Sequence, residues 1–353
     1  MPDGQARLVS TPVDPESWDM ATSERLARAA VAGETLAALA DEDPRLVVLT
    51  ADLKYSNRTV DFEKRHPDRF FNVGIAEQNM VTMAAGLATF GFVPYVATFA
   101  SFVGLLCAEQ LRTDLAYPGL PVRVLAHHAG ISLGFYGTSH HATEDLGLLR
   151  SMAGMTVVCP CDAASVAKAL RSTVEHPGPI YFRLGRGREP DVYEAGADAF
   201  EVGRIAKLRA GGDLAIVANG IGVAAALSAA GTLAGEGIDA AVLDAHTVRP
   251  FDAQTLREEA ARCGHVLVVE EHNVVGGVAS ACAEALVDGG VEGVRMARLG
   301  LPADEYSLIG PPTHLYAHYG LDEAGIAARA RELLGGAAHQ TGEQTNHGGY
   351  RNE

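Results

Sequence analysis

Short, continuous apolar runs set apart by amphipathic stretches constrain this chain more than any other feature. RLVVLTADL (45–53), VRVLAHH (122–128), MTVVCP (155–160) and IYFRLG (180–185) are too uniformly apolar for strands with one wet face. Between them, helical spacing of apolar residues runs over Glu77–Thr89, Phe99–Leu115, Thr143–Met152 and Ala163–His176. Buried strands alternating with helices predict a parallel sheet covered on both faces. The order then repeats as LAIVANG (214–220), a small-residue helix from Gly222, AAVLDAHTVRP (240–250), a helix from Ala253, HVLVVEEH (265–272), a helix from Gly277 and VRMARLGL (294–301). The acidic stretch REPDVYEAGADAFEVG (188–203) holds Gly and Pro and has no helical period, so it reads as a linker. The expected fold class is α/β, with two domains that are each a mostly parallel sheet with helices on both faces. The expected boundaries are an N-terminal arm at 1–20, domains at 21–190 and 206–338, a linker at 191–205 and a disordered polar tail at 339–353.

Charge and cysteine content narrow the function. The formal net charge of −16 argues against a nucleic-acid partner, because a phosphate backbone would be repelled. Anionic small substrates would need a local cluster of Arg and His. No apolar run reaches the roughly 18 residues of a membrane span. The polar start MPDGQARLVSTPVDPESWDM has no apolar signal-peptide core, so a cytoplasmic location is expected. The five cysteines form no regular framework. Cys159-Pro160-Cys161 ends a strand and lacks the spacing and second pair of a metal site, so a structural role is expected.

Several familiar motifs are missing. There is no Walker A loop, no G-x-G-x-x-G after a first strand, no H-E-x-x-H, and no G-D-G with a downstream Asn, the pattern that holds Mg²⁺ and diphosphate. Gly211-Gly212-Asp213 lacks that context. What remains is a set of ordered segments. FFNVGIAEQNM (70–80) runs an apolar strand into Glu77 at the start of a helix, where a carboxylate also suits the positive helix end. Phe99 and Phe102 follow at i, i+3 spacing, read here as one helix face, either core or a flat platform. Gly137-Thr138-Ser139-His140-His141-Ala142-Thr143-Glu144-Asp145 places two His beside a Gly-rich loop, which suits either capping or chemistry.

Taken in order, these segments resemble the pyrimidine-binding domain of the transketolase family. The shared landmarks are Thr50-Ala51-Asp52-Leu53, GIAEQNM, TFASF, the THH-like loop and VVCPCD. Val268-Val269-Glu270-Glu271-His272 followed by Gly276-Gly277 resembles that family's C-terminal domain. The resemblance covers about residues 25–335 and omits the family's diphosphate-binding domain. It therefore implies the C-terminal subunit of a split transketolase, active with an N-terminal partner that carries the diphosphate and Mg²⁺ site, in a heterotetramer.

The same resemblance assigns residues. Glu77 matches the carboxylate that hydrogen-bonds N1′ of the thiamine diphosphate aminopyrimidine, and Phe99 and Phe102 would flank that ring. Asp52 and Leu53 match residues under the cofactor. His140 matches a His near the donor oxygens, and His128 a further substrate-side His. Ser56 and Arg186 match phosphate-contact positions; Arg183, three residues earlier, is the competing Arg, and a solvated surface role stays open for either. The implied reaction moves a two-carbon ketol unit from a ketose (phosphate) to an aldehyde, and no metal is held by this chain's own side chains. Alternatives are the β-subunit of a 2-oxo acid dehydrogenase and a condensing enzyme like deoxyxylulose-phosphate synthase. Two departures stand out. Phe135-Tyr136 replaces an acidic pair whose Asp binds a substrate hydroxyl, and Ala29, with Arg28 one position off, falls where the family carries an Arg. Altered recognition of the sugar is therefore expected.

Overall fold

The computed structural model describes residues 23–187, 189–194 and 200–335, with side chains from Val31. The arm at 1–20, the tail at 339–353, part of the linker, and the side chains of Arg28 and Ala29 lie outside the described residues.

Among the described residues, twelve strands form two sheets. They are β1 (Leu46–Thr50), β2 (Phe70–Asn72), β3 (Val93–Phe99), β4 (Arg123–His127), β5 (Thr156–Val158), β6 (Ile180–Arg183), β7 (Ala206–Arg209), β8 (Leu214–Ala218), β9 (Ala240–Asp244), β10 (Thr247–Arg249), β11 (His265–Asn273) and β12 (Arg295–Leu301). The first sheet has the order β10-β5-β6-β4-β3-β1-β2 and the second β12-β11-β8-β9-β7. Pairing is parallel except at β10–β5 and β7–β9. Every residue of β1, β3, β4, β6, β8 and β9 is buried, as continuous apolar runs between two helical layers require.

Three expectations are corrected. Phe99 is the last residue of β3, not the start of a helix over Phe99–Leu115. The Val93–Phe99 run pairs with both β1 and β4, and this pairing prevails over the helical spacing of its aromatics. The helical segment that follows is wound loosely, with π turns over Phe102–Leu106 and Leu111–Ala116. Such turns bulge a helix and recur at functional sites. Third, AAVLDAHTVRP is not one strand. Its first part is β9 of the second sheet, while β10 crosses over and pairs antiparallel with β5 of the first.

A buried polar network joins the two sheets. Arg183 Nε donates to both carboxylate oxygens of Asp145 at 3.1 and 2.9 Å. Its Nη2 donates to Ala142 O at 3.0 Å and, across the junction, to Glu271 O at 2.8 Å. Tyr181 Oη donates to Asp145 Oδ2 at 2.9 Å. His272 accepts from Gly147 N–H at Nε2 (3.4 Å), and its Nδ1 lies 2.7 Å from Asn273 O. Burial holds its pKa at about 4, so the ring is neutral and carries its proton on Nδ1. Glu270 accepts from Val278 N–H at 2.6 Å and Ala279 N–H at 3.1 Å, capping helix Val278–Asp288.

Candidate functional site

Because β1, β3, β4 and β6 are parallel, their C-terminal ends meet along one edge of the first sheet, where α/β proteins bind ligands. Asp52, Phe99, His127, His128 and Arg186 follow or end these strands.

Glu77 opens helix Glu77–Thr89, the span its apolar spacing predicts. Gly74, at φ +75°, turns the chain out of β2, and Asn72 Oδ1 accepts from Gly74 N–H at 3.2 Å and from Asp52 N–H at 2.9 Å. One side chain thus ties the β1 end to the entry of the carboxylate helix. Ala76 precedes the helix without a side-chain cap, which leaves first-turn N–H groups to favour the carboxylate. Glu77 is 5% exposed, and its Oε1 accepts a long hydrogen bond of 3.3 Å from Thr98 Oγ1. Thr98 precedes Phe99, so the carboxylate is tied to the C-terminal end of β3. Gln78 Nε2 donates to Leu106 O at 3.1 Å, which anchors the π turn that carries Phe102 to the same helix.

The rings gather here. Phe99 and Phe102 have centroids 5.5 Å apart, His128 lies 4.5 Å from Phe99, and His140 lies 5.1 Å from Phe102. Tyr136 covers His140 at 4.8 Å, and Ser139 Oγ lies 2.9 Å from its Nδ1. Burial lowers the pKa of His140, so its ring is neutral near pH 7. His141 instead turns inward, with Nδ1 2.6 Å from Ser307 Oγ. The loop that carries His140 is braced by the second domain: Gly310 N–H donates to Gly134 O at 3.2 Å, and Asn273 N–H to Thr143 O at 2.8 Å. A Cβ on Gly134 would come within 2.2 Å of Gly310 O, so glycine alone permits this approach.

Asp52 and His128 hold left-handed backbone (φ 61° and 59°), a strained choice for both that turns their strands' ends into the site. That turn divides the two adjacent histidines. His128 joins the Phe99 cluster, while His127 is the one that lines a small cavity together with Ser56 and Arg186. Sequence reading missed His127, because strand alternation fails at a left-handed residue. Arg183 is not a surface or substrate Arg; it is buried in the Asp145 pair. Cys159 and Cys161 are buried free thiols, and burial pushes Cys159 up to about 12. Among the described residues, no three His, Cys, Asp or Glu side chains converge to hold a metal, and no helix is long and apolar enough to cross a membrane.

Buried Glu77 and the Phe99–Phe102 pair thus lie towards the C-terminal edge of the sheet in the first of two joined α/β domains. Residues 24–190 match the transketolase pyrimidine-binding domain and residues 203–326 the transketolase C-terminal domain. The chain belongs to the transketolase family, and that family's pyrimidine domain implies dependence on thiamine diphosphate. It is 38% identical to a putative transketolase-family protein of Sinorhizobium fredii, over 89% of this chain and 91% of that protein. It is 38% identical to one of the subunits of the apulose-4-phosphate transketolase from Phocaeicola vulgatus, over 85% of this chain and 95% of that protein. A solved split-gene transketolase, an inactive beta4 tetramer, superposes with a TM-score of 0.78 at 40% identity, over 87% and 98%. The 1-deoxy-D-xylulose-5-phosphate synthase of Syntrophotalea carbinolica is 40% identical, but this chain spans only 48% of its length.

Proposed function

We propose that this chain is the C-terminal subunit of a two-component transketolase that moves a two-carbon ketol unit from a ketose to an aldehyde. The observation that carries the reading is Glu77, buried and hydrogen-bonded to Thr98, the residue before Phe99 of the Phe99–Phe102 ring pair. These residues fit an aminopyrimidine, which needs one carboxylate at a ring nitrogen and flat apolar surface on its face. Thiamine diphosphate, when bound, supplies the carbanion chemistry that no side chain provides. Glu77 would hold the proton at N1′ and Phe99 and Phe102 would support the ring, with Asp52 and Leu53 at the neighbouring strand end. His140, neutral and packed against Phe102 and Tyr136, would face the donor oxygens, and His128 packs against Phe99. Tyr136, in place of an acidic residue, shifts donor preference towards a less hydroxylated ketose or acyloin.

The site has an outer wall only in an assembly. Phe71, Ile75, Met83, Leu105 and Leu106 lie on or near Glu77's helix as exposed apolar side chains, and Ile75 is 85% exposed. A partner subunit covers this face and brings the diphosphate and Mg²⁺ site, giving a heterotetramer of two chains of each kind. The named relatives favour transketolase over the 2-oxo acid dehydrogenase β-subunit, which would pass acyl groups to lipoyl-lysine instead. Calorimetric titration of thiamine diphosphate and Mg²⁺ into the chain alone, then into the chain with its partner, tests the reading. Tight binding is expected only with the partner, and tight binding by the chain alone would overturn it.

A further inference from the structure

We propose that Glu271, in the second domain, is a positioning residue for the first: it clamps the backbone bridge from which both site histidines hang. The inference rests on the ketol-transfer reading for what those histidines do, and adds a residue that acts through them. Gly130 and Ala142 form an isolated antiparallel bridge, with Gly130 N–H donating to Ala142 O at 3.1 Å and Ala142 N–H to Gly130 O at 2.9 Å. His128 lies two residues before Gly130 and His140 two residues before Ala142, so each arm of the bridge carries one of them. From there His128 reaches Phe99 and His140 reaches Phe102.

Both arms are held from the second domain through Glu271, a buried residue of β11. On the first arm, Glu271 Oε1 accepts from Ile131 N–H at 2.8 Å. The same oxygen accepts from Tyr316 Oη at 2.7 Å, which ties the carboxylate to helix Pro312–His318. On the second arm, Arg183 Nη2 donates to both Glu271 O and Ala142 O, at 2.8 and 3.0 Å. Ile131 itself is fully buried and belongs to the apolar core that contains Leu214, Val269 and Leu315 of the second domain. Gly130 completes the fit. Its φ is +60°, and a Cβ there would come within 2.1 Å of the Glu271 carboxyl carbon, so the carboxylate packs directly on the bridge. Because both donors converge on one oxygen, the clamp needs an acceptor and not a charge. Misplacing reacting groups by about 1 Å can cost about 10²-fold in rate, which is the scale at which such a clamp matters.

The test uses the enzyme reconstituted with its partner subunit. Glu271→Met removes the acceptor at similar side-chain length and is expected to lower kcat for ketol transfer by about 10²-fold. Affinity for thiamine diphosphate is expected to stay within about twofold, because Glu77, Phe99 and Phe102 sit on other segments. Glu271→Gln keeps an amide oxygen for both donors and is expected to hold kcat within about threefold of wild type. A Gln variant as slow as the Met variant, or a loss of cofactor affinity in step with kcat, would overturn the proposal. A second readout needs no turnover. In the full chain labelled with ¹⁵N-histidine, the His140 ring is followed by NMR through a pH titration. Burial lowers its pKa, which is expected to rise towards the ordinary value of about 6.5 in Glu271→Met as the loop loosens, and to stay low in Glu271→Gln. An unmoved His140 in Glu271→Met would refute the clamp, and this holds even where wild type turns over no ketose and the ketol-transfer reading falls. Where Glu271→Met does not fold, Tyr316→Phe, which leaves the carboxylate with Ile131 N–H alone of these two donors, is expected to lower kcat by about tenfold, and unchanged turnover there would refute the clamp equally.

Discussion

Replacing Arg183 by Met removes one partner of the buried Asp145 pair and, with it, a hydrogen bond across the junction to Glu271 O. Asp145 has a fully buried side chain and Arg183 one that is 4% exposed, so water cannot take over the lost charge. In the variant Asp145 keeps only the Tyr181 hydroxyl as a side-chain donor among the described residues, and Ala142 O and Glu271 O each lose an N–H. His272 lies 3.9 Å away, but its neutral ring faces Gly147 N–H with a lone pair, so it does not supply the missing cation. Breaking a buried pair in this way costs about 3–5 kcal/mol. The Arg183→Met/Asp145→Asn double variant removes the stranded charge and is expected to recover about 2 kcal/mol of that loss. Urea unfolding of the isolated chain, followed by circular dichroism, gives both numbers. Because Arg183 reaches Glu271 across the junction, the single variant is also expected to lower the m-value as the domains begin to unfold separately. A destabilisation under about 1 kcal/mol with an unchanged m-value would refute the argument.

Two further outcomes concern the candidate site. Glu77→Gln should fold and assemble, yet lose about 10²–10⁴-fold in turnover, because an amide cannot exchange a proton with N1′. Exchange of the thiazolium C2 proton, followed by NMR on the reconstituted complex, is the check, and an unchanged rate would leave Glu77 as a helix-start residue only. Tyr136→Asp replaces the ring over His140 with a hydroxyl-accepting carboxylate. It is expected to raise kcat/KM for an ordinary hydroxylated donor over a deoxygenated analogue by about tenfold, and no change in that ratio would remove Tyr136 from substrate recognition.

Much of this was legible along the chain because it depends on local pattern. Continuous apolar runs of strand length alternating with amphipathic stretches point to a parallel sheet covered on both faces, and so the α/β class followed from runs such as β1, β4, β8 and β11 and the helices between them. Glu77 and its helix were equally readable, since strand, glycine turn and carboxylate follow one another within a few residues. Tertiary structure decided the rest. Phe99 could be called helical until β1 and β4 claimed its backbone hydrogen bonds from either side. One apolar run could not reveal that its halves belong to different sheets, because strand partners are chosen by distant segments. Arg183 and Arg186 carry the same charge three positions apart. Only the position of Asp145, 38 residues from Arg183, makes the first a buried strut and leaves the second at the cavity. His127 and His128 are divided by a single left-handed residue, whose strain no local propensity predicts and which the packing around it enforces.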